Sequence, residues 1–219
     1  MRRRYALLLA LLSDVTAFAQ QSLPAETPPP GAAAAVDAPA PATVAVRMQT
    51  ALGPIVLAVE TERAPVTAAN FLRYVDQKRL DNTVFYRAMK VGDAGDGLVQ
   101  AGLRGDPRRI LKPIAHEPTS VTGLSHVSGA ISMARAEPGT ANADFFIVIG
   151  DLTGLDAHAA DPTTQKDDPG YAVFGHVVEG LDVARQILQR PTADDAASAV
   201  MKGQMLAMPV KILTVRRDR

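Results

Sequence analysis

The sequence predicts a mainly β protein, an eight-stranded antiparallel barrel whose ends are covered by two α-helices. Three observations carry that reading. Eight short runs, 44–50, 54–60, 84–89, 98–102, 129–134, 145–149, 172–178 and 210–215, have the length and the apolar or alternating pattern of strands. Only 65–75 and 181–189 carry helical spacing. The 176 residues from position 44 onward suit one domain with one core, and no internal repeat divides them. Many strands with few helices is the pattern of a barrel.

Taken in order, the chain begins with Arg2, Arg3 and Arg4, an apolar run over 5–12, and Ala17-Phe18-Ala19 before Gln20. This is the three-part pattern of a secretory signal peptide, so export and cleavage after residue 19 are expected. The apolar run is about half of the ~20 residues a membrane span needs, and Asp14 closes it, which favours a cleaved leader over an anchor. The arginine run has only a faint likeness to a twin-arginine signal, so Sec export is expected. Without residues 1–19 the chain keeps 20 basic and 22 acidic residues, a near-neutral balance with no basic block for nucleic acid. There is no cysteine, which excludes a disulfide framework and a lipid-anchored leader.

Residues 20–43 are rich in Pro and Ala, with Pro24, Pro28, Pro29, Pro30, Pro39 and Pro41, and read as a disordered, semi-extended linker. Recruitment of a partner, or folding back onto the domain's own pocket, are alternative uses of such a segment. The domain then spans 44–219. Its first two strands flank Ala51-Leu52-Gly53 as a hairpin, and Pro65 suits the first turn of the first helix, whose core face holds Val66, Ala69, Phe71 or Leu72, and Val75. Long loops are expected at 88–97, 103–128, 150–170 and 191–209. Loops of that length are usually functional or particular to a family. The tail Arg216-Arg217-Asp218-Arg219 reads as a solvated end.

Four strand-like pieces carry the chemistry: Val84-Phe85-Tyr86-Arg87, Leu98-Val99-Gln100-Ala101-Gly102, Ser132-Met133-Ala134-Arg135-Ala136 and Ala143-Asp144-Phe145-Phe146-Ile147. Each sets a polar or aromatic group on an apolar run, so together they place a guanidinium and an amide beside an apolar pocket. Phe145 and Phe146 must face opposite sides of their strand, and Phe146 is the expected pocket residue. Met48, Met89 and Met133 read as core filler, and Met201, Met205 and Met208 fall in a loop. His116, His126, His158 and His176 lack metal-ligand spacing, so no metal and no cofactor are expected. The stretch Asp93-Ala94-Gly95-Asp96-Gly97 lacks the alternating ligands and final Glu of a calcium loop and reads as a turn. Ser132 lacks a nucleophile elbow and a placed base, so a hydrolase reading fails.

Five segments, in order, resemble the cyclophilins, the cyclophilin-type peptidyl-prolyl cis-trans isomerases, and in particular the short exported ones of Gram-negative bacteria. They are Ala64-Pro65-Val66 with Asn70-Phe71; Asn82-Thr83-Val84-Phe85-Tyr86-Arg87; Gly129 to Arg135; Ala143-Asp144-Phe145-Phe146-Ile147; and Gly170 to Gly175 with Val178-Glu179-Gly180. The resemblance covers 45–217 and implies a closed eight-stranded barrel. It further implies that Arg87 is the catalytic guanidinium and Gln100 the amide beside it. By the same resemblance Leu98, Phe146, Leu155 and Tyr171 wall a proline pocket, and Ala134 with the backbone of Arg135 holds the residue before proline. The implied substrates are unfolded or flexible proline-containing chains in the bacterial periplasm, handled by a monomer. A peptide-binding or holdase module of the same fold, weak in catalysis, is the alternative.

The residue types suit that chemistry. Rotation about an X-Pro bond faces a barrier of ~18–20 kcal/mol because the nitrogen lone pair is delocalised into the carbonyl. A donor that cannot lose its proton, aimed at the twisted prolyl nitrogen in a dry site, stabilises the rotated state more than either planar one. No proton moves, so the rate is expected to be flat between about pH 6 and 8. Three departures from the family pattern stand out. Asp144 replaces the family's Gln and is placed to pair with Arg87 or to face the rim; Gly97 falls where an aromatic is expected; Gly154 replaces a large residue. Together they predict a wider, weaker pocket.

Overall fold

Alternation of apolar and polar residues brings eight strands into a ring. The computed structural model describes residues 41–92, 94–158, 168–193 and 201–218; the leader, the linker up to residue 40 and Asp93 lie outside them. Around the ring the order is β1 (Thr43–Thr50), β2 (Gly53–Glu60), β7 (Ala172–Glu179), β5 (Ala130–Met133), β6 (Phe145–Ile149), β4 (Asp96–Gly102), β3 (Val84–Val91) and β9 (Met205–Arg217). Strand β9 returns to β1, pairing Val46 with Arg217 and Met48 with Val215, so the barrel is closed. Every pairing is antiparallel. A two-residue strand, β8 (Thr192–Ala193), attaches to β9.

The inward residues form one core. Met48, Ile55, Leu57, Phe85, Val99, Ile131, Phe145, Ile147 and Phe174 are buried in it. Helix α1 (Pro65–Asp76) packs on β2, β7 and β9 and sends Phe71 edge-on to Phe145, with ring centroids 5.5 Å apart. Helix α3 (Leu181–Leu188) packs on β2, β3, β4 and β6 and buries Val183, Ala184, Ile187 and Leu188. Pro65 opens α1, where its missing N–H costs nothing, and Ala64 supplies no side-chain cap. Glu117, from the long loop after β4, takes that role by accepting the Val66 and Thr67 N–H groups at 3.0 and 2.6 Å.

The eight strands and both long helices fall where periodicity predicts them, and the differences lie in the loops. A single helical turn, α2 (Thr119–Thr122), follows Pro118 and is ended by Gly123 in the left-handed region, and a 3-10 turn occupies Thr153–Leu155. Both are too short to show a period. Strand β9 begins at Met205 rather than 210, hidden because Pro209 breaks its pattern. Between Phe85 and Arg87 the partner register on β9 jumps from Val210 to Met205, so the Pro209 stretch leaves the ladder with β3. The expected solvated tail is instead the end of this strand. Arg216 pairs with Asp81 at 2.6 Å, Arg217 with Asp76 at 2.8 Å, and Asp218 with Arg47 at 2.8 Å.

Candidate functional site

The site lies on the outer wall of the barrel, and a β-bulge creates it. In a regular strand Phe85 and Arg87 share a face. Here Phe85 opposes Ala101 while Arg87 opposes Gln100, so Tyr86 is one extra residue in β3. Phe85 stays in the core, Tyr86 and Arg87 both stand outside it, and Ala88 returns inward. The same change of phase carries Met89 outward, so it lines the site and is not the core filler its sequence suggests.

A cavity of about 290 Å³ is lined by Arg87, Leu98, Gln100, Ala134, Arg135, Phe146, Leu155 and Tyr171, with Met89 and Met201. All eight of the pocket positions expected from sequence therefore meet around one hollow. Its floor is a second apolar cluster, distinct from the core, in which Leu98, Phe146, Val148 and Val173 pack with Ala134, Leu155 and Tyr171. Phe146 meets Tyr171 edge-on at 5.6 Å. The Arg135 guanidinium lies 4.8 Å over the Tyr171 ring and donates to the Gly170 carbonyl, which fixes that wall. A shallower depression of about 330 Å³ adjoins the cavity through the shared residues Met89 and Leu155, and Gly154 lies on its wall with open space beyond it.

Arg87 is held on two sides. Its Nη1 donates to Gln100 Oε1 at 2.8 Å, and its Nε and Nη2 donate to Gln204 Oε1 at 2.9 and 2.6 Å. Nη2 also lies 3.5 Å from the Met89 sulfur. Of the five N–H bonds of a guanidinium, four thus have partners among the described residues, and the second Nη1 N–H has none among them. Burial lowers the Arg87 pKa from its ordinary value. An arginine still keeps its charge throughout the physiological range.

Asp144 is not paired with Arg87. Its carboxylate accepts the Tyr86 hydroxyl at 3.1 Å and the Arg104 backbone N–H at 3.0 Å. The Tyr86 oxygen in turn accepts Gln100 Nε2 at 2.6 Å. Burial pushes the Asp144 carboxyl above the usual carboxylate range, and burial followed by the nearby Asp144 charge pushes the Tyr86 hydroxyl far above its own. Gly97 also departs from expectation: a Cβ there would lie 2.1 Å from the Met89 carbonyl oxygen, so no aromatic fits.

Sequence reasoning did not find Tyr86, Met89, His126, Met201 or Gln204 at the site. His126 is fully buried against the pocket wall, stacked with Phe146 at 5.9 Å. Its Nδ1 lies 2.5 Å from Asp156 and its Nε2 3.0 Å from Ser132 Oγ. Burial lowers the His126 pKa against the opposing pull of Asp156; at Asp156 burial pushes the carboxyl up, but hydrogen bonds from Ser125 and His126 outweigh it. A base does therefore lie beside Ser132, yet both side chains have no exposure through which a substrate carbonyl would reach them. The trio braces Phe146 from behind.

A closed antiparallel barrel that carries a guanidinium, held by two amide side chains, beside a largely apolar hollow defines the class in structural terms. The comparisons make the class specific. The family described as "Cyclophilin type peptidyl-prolyl cis-trans isomerase/CLD" matches residues 45–216. A peptidyl-prolyl cis-trans isomerase of Acinetobacter baylyi is 31% identical over 182 residues, 83% of this chain and 89% of that protein. Peptidyl-prolyl cis-trans isomerase A of Dickeya dadantii is 35% identical over 150 residues, covering 67% and 72% of the two chains. The crystal structure of a Cryptosporidium parvum cyclophilin type isomerase, determined in the presence of the dipeptide Ala-Pro, superposes with a TM-score of 0.61 at 20% identity, over 80% of this chain and 99% of that one, and is similar in fold. The chain belongs to the cyclophilin-type peptidyl-prolyl cis-trans isomerases.

Proposed function

We propose that this isomerase acts on X-Pro bonds of exported, unfolded or flexible chains as a monomer, and that Arg87 supplies the catalysis. The observation that carries the mechanism is a guanidinium fixed by Gln100 and Gln204 at an apolar cavity bounded by Phe146, with one Nη1 N–H uncommitted among the described residues. As the bond twists, the prolyl nitrogen becomes a lone-pair acceptor. An N–H already aimed at it binds the twisted state better than the planar ones and needs no reorganisation at the moment of rotation. Leu98, Phe146, Leu155 and Tyr171 grip the ring, and Ala134 with the backbone of Arg135 holds the residue before it.

Export rests on the leader pattern of 1–19 and on the Pro/Ala-rich linker that follows. On this reading the enzyme works in a bacterial periplasm, where X-Pro isomerisation takes roughly tens to hundreds of seconds unaided and slows folding. The test is the cis-to-trans rate of an Ala-Pro peptide with wild type and Arg87→Ala. A loss of about ten- to a thousandfold, or ~1.4–4 kcal/mol, is expected, with a rate flat between about pH 6 and 8. An Arg87→Ala variant at full rate, or a steep bell over that range, overturns the mechanism.

A further inference from the structure

We propose that Asp144 is a positioning residue for the isomerase, acting through Tyr86 to fix which face of the Gln100 amide meets Arg87. The inference deepens the reading of Arg87 as the catalytic donor and rests on it. Four side chains form one hydrogen-bonded line across β3, β4 and the start of β6: Arg87 Nη1 to Gln100 Oε1 at 2.8 Å, Gln100 Nε2 to Tyr86 Oη at 2.6 Å, Tyr86 Oη to Asp144 Oδ2 at 3.1 Å. A guanidinium only donates and a carboxylate only accepts. With both ends fixed, one orientation of the two middle groups satisfies all three bonds.

The carboxylate removes the competing arrangement. The Tyr86 hydroxyl carries one hydrogen, and two acceptors compete for it: Asp144 Oδ2 at 3.1 Å, and the Gln100 oxygen, which would reach it only with the amide turned over. If Tyr86 donated to Gln100, the amide would turn over and set its NH2 against the Arg87 N–H, donor against donor. Asp144 takes that hydrogen, so the Gln100 oxygen stays toward Arg87 and holds Nη1. Asp144 is itself seated for this task. Its second oxygen accepts the Arg104 backbone N–H at 3.0 Å, and Gly102 leaves it room, since a Cβ there would lie 2.1 Å from Oδ1. Both oxygens thus face donors. An amide at this position would present an NH2 to one of them, so a carboxylate suits it and Asn or Gln does not. The Arg104 guanidinium, 5.2 Å over the Tyr86 ring, holds the phenol in place.

The test uses the full chain with Tyr86→Phe, Asp144→Asn and the double variant. Each single variant is expected to lower kcat on an Ala-Pro peptide about three- to thirtyfold while the peptide Kd stays within about twofold. The double variant is expected to be no slower than Tyr86→Phe alone, because both changes cut the same line. Losses that add, or folded variants within about twofold of wild-type kcat, overturn the proposal. One measurement needs no variant: in wild type, NOEs from the Gln100 NH2 protons fall on the Tyr86 ring, and NOEs to the Arg87 guanidinium protons instead overturn the proposal. If wild type fails to accelerate the peptide at all, the reading of Arg87 fails, while the NOEs still decide how the amide lies.

Discussion

At the scale of single residues, the site depends on groups that cannot exchange roles. Arg87 satisfies Gln100 and Gln204 together because its donors are fixed in a planar fork. A lysine keeps the charge but has one nitrogen, so Arg87→Lys is expected to lose at least about tenfold in kcat/KM, with little change in thermal stability. A lysine variant at wild-type rate would show that charge alone suffices. The strand pieces made a guanidinium, an amide and one of Phe145 and Phe146 beside an apolar pocket legible, while the roles of Arg87 and Gln100 and the place of Leu98 came from the family resemblance. Gln204 was not legible: it reaches Arg87 from 117 positions away, and nothing local in its sequence marks the contact. Asp144 was visible as a departure, but its partner was not, because nothing in a linear reading reveals that Tyr86 stands on the same face as Arg87.

At the scale of elements, the bulge in β3 determines what the strand presents. Deleting Tyr86 would restore regular pairing with Phe85 inward and Arg87 still outward opposite Gln100, and would take away the hydroxyl that joins Gln100 to Asp144, so the deletion is expected to keep Arg87 at the site and to lower isomerisation about as much as Tyr86→Phe. A folded deletion variant with no activity at all would mean that the bulge does more than seat the Tyr86 hydroxyl. Strand β4 has an equally local requirement at Gly97, where any Cβ would strike the Met89 carbonyl. Gly97→Ala is therefore expected to destabilise by about 1–3 kcal/mol in denaturant unfolding and to disturb the Met89 wall. Helix α1 owes its N-terminal satisfaction to Glu117, and Glu117→Ala should cost about 1 kcal/mol, measured the same way. The elements with a sustained period were readable to within a few residues. The one-turn helix, the 3-10 turn and the first half of β9 were not, since each is set by tertiary contacts or by a proline.

At the scale of the whole molecule, closure rests on β9 and on the charged residues at its end. Asp81 accepts Arg216 through both carboxylate oxygens and the Val215 N–H at 3.1 Å, and these bonds, the Arg216 one foremost, hold its carboxyl below the ordinary range. A depressed carboxyl stabilises the fold above its unfolded value of about 3.9, and that stability disappears as pH falls through the lower folded value. Wild type is therefore expected to unfold at higher temperature than Asp81→Asn at pH 7, by an amount worth about 0.5–1 kcal/mol because Arg216 is 41% exposed and screened. The gap should vanish near pH 2, and a gap unchanged there would assign the effect to packing. The closed ring has a consequence for the company this enzyme keeps. Unfolded chains seek unpaired strand edges to extend, and a sheet with a free rim would seed their aggregation. In the ring every strand is paired on both sides, and the two-residue β8 is too short to template another chain. A polypeptide that reaches the pocket therefore finds no long free strand edge among the described residues to pair with.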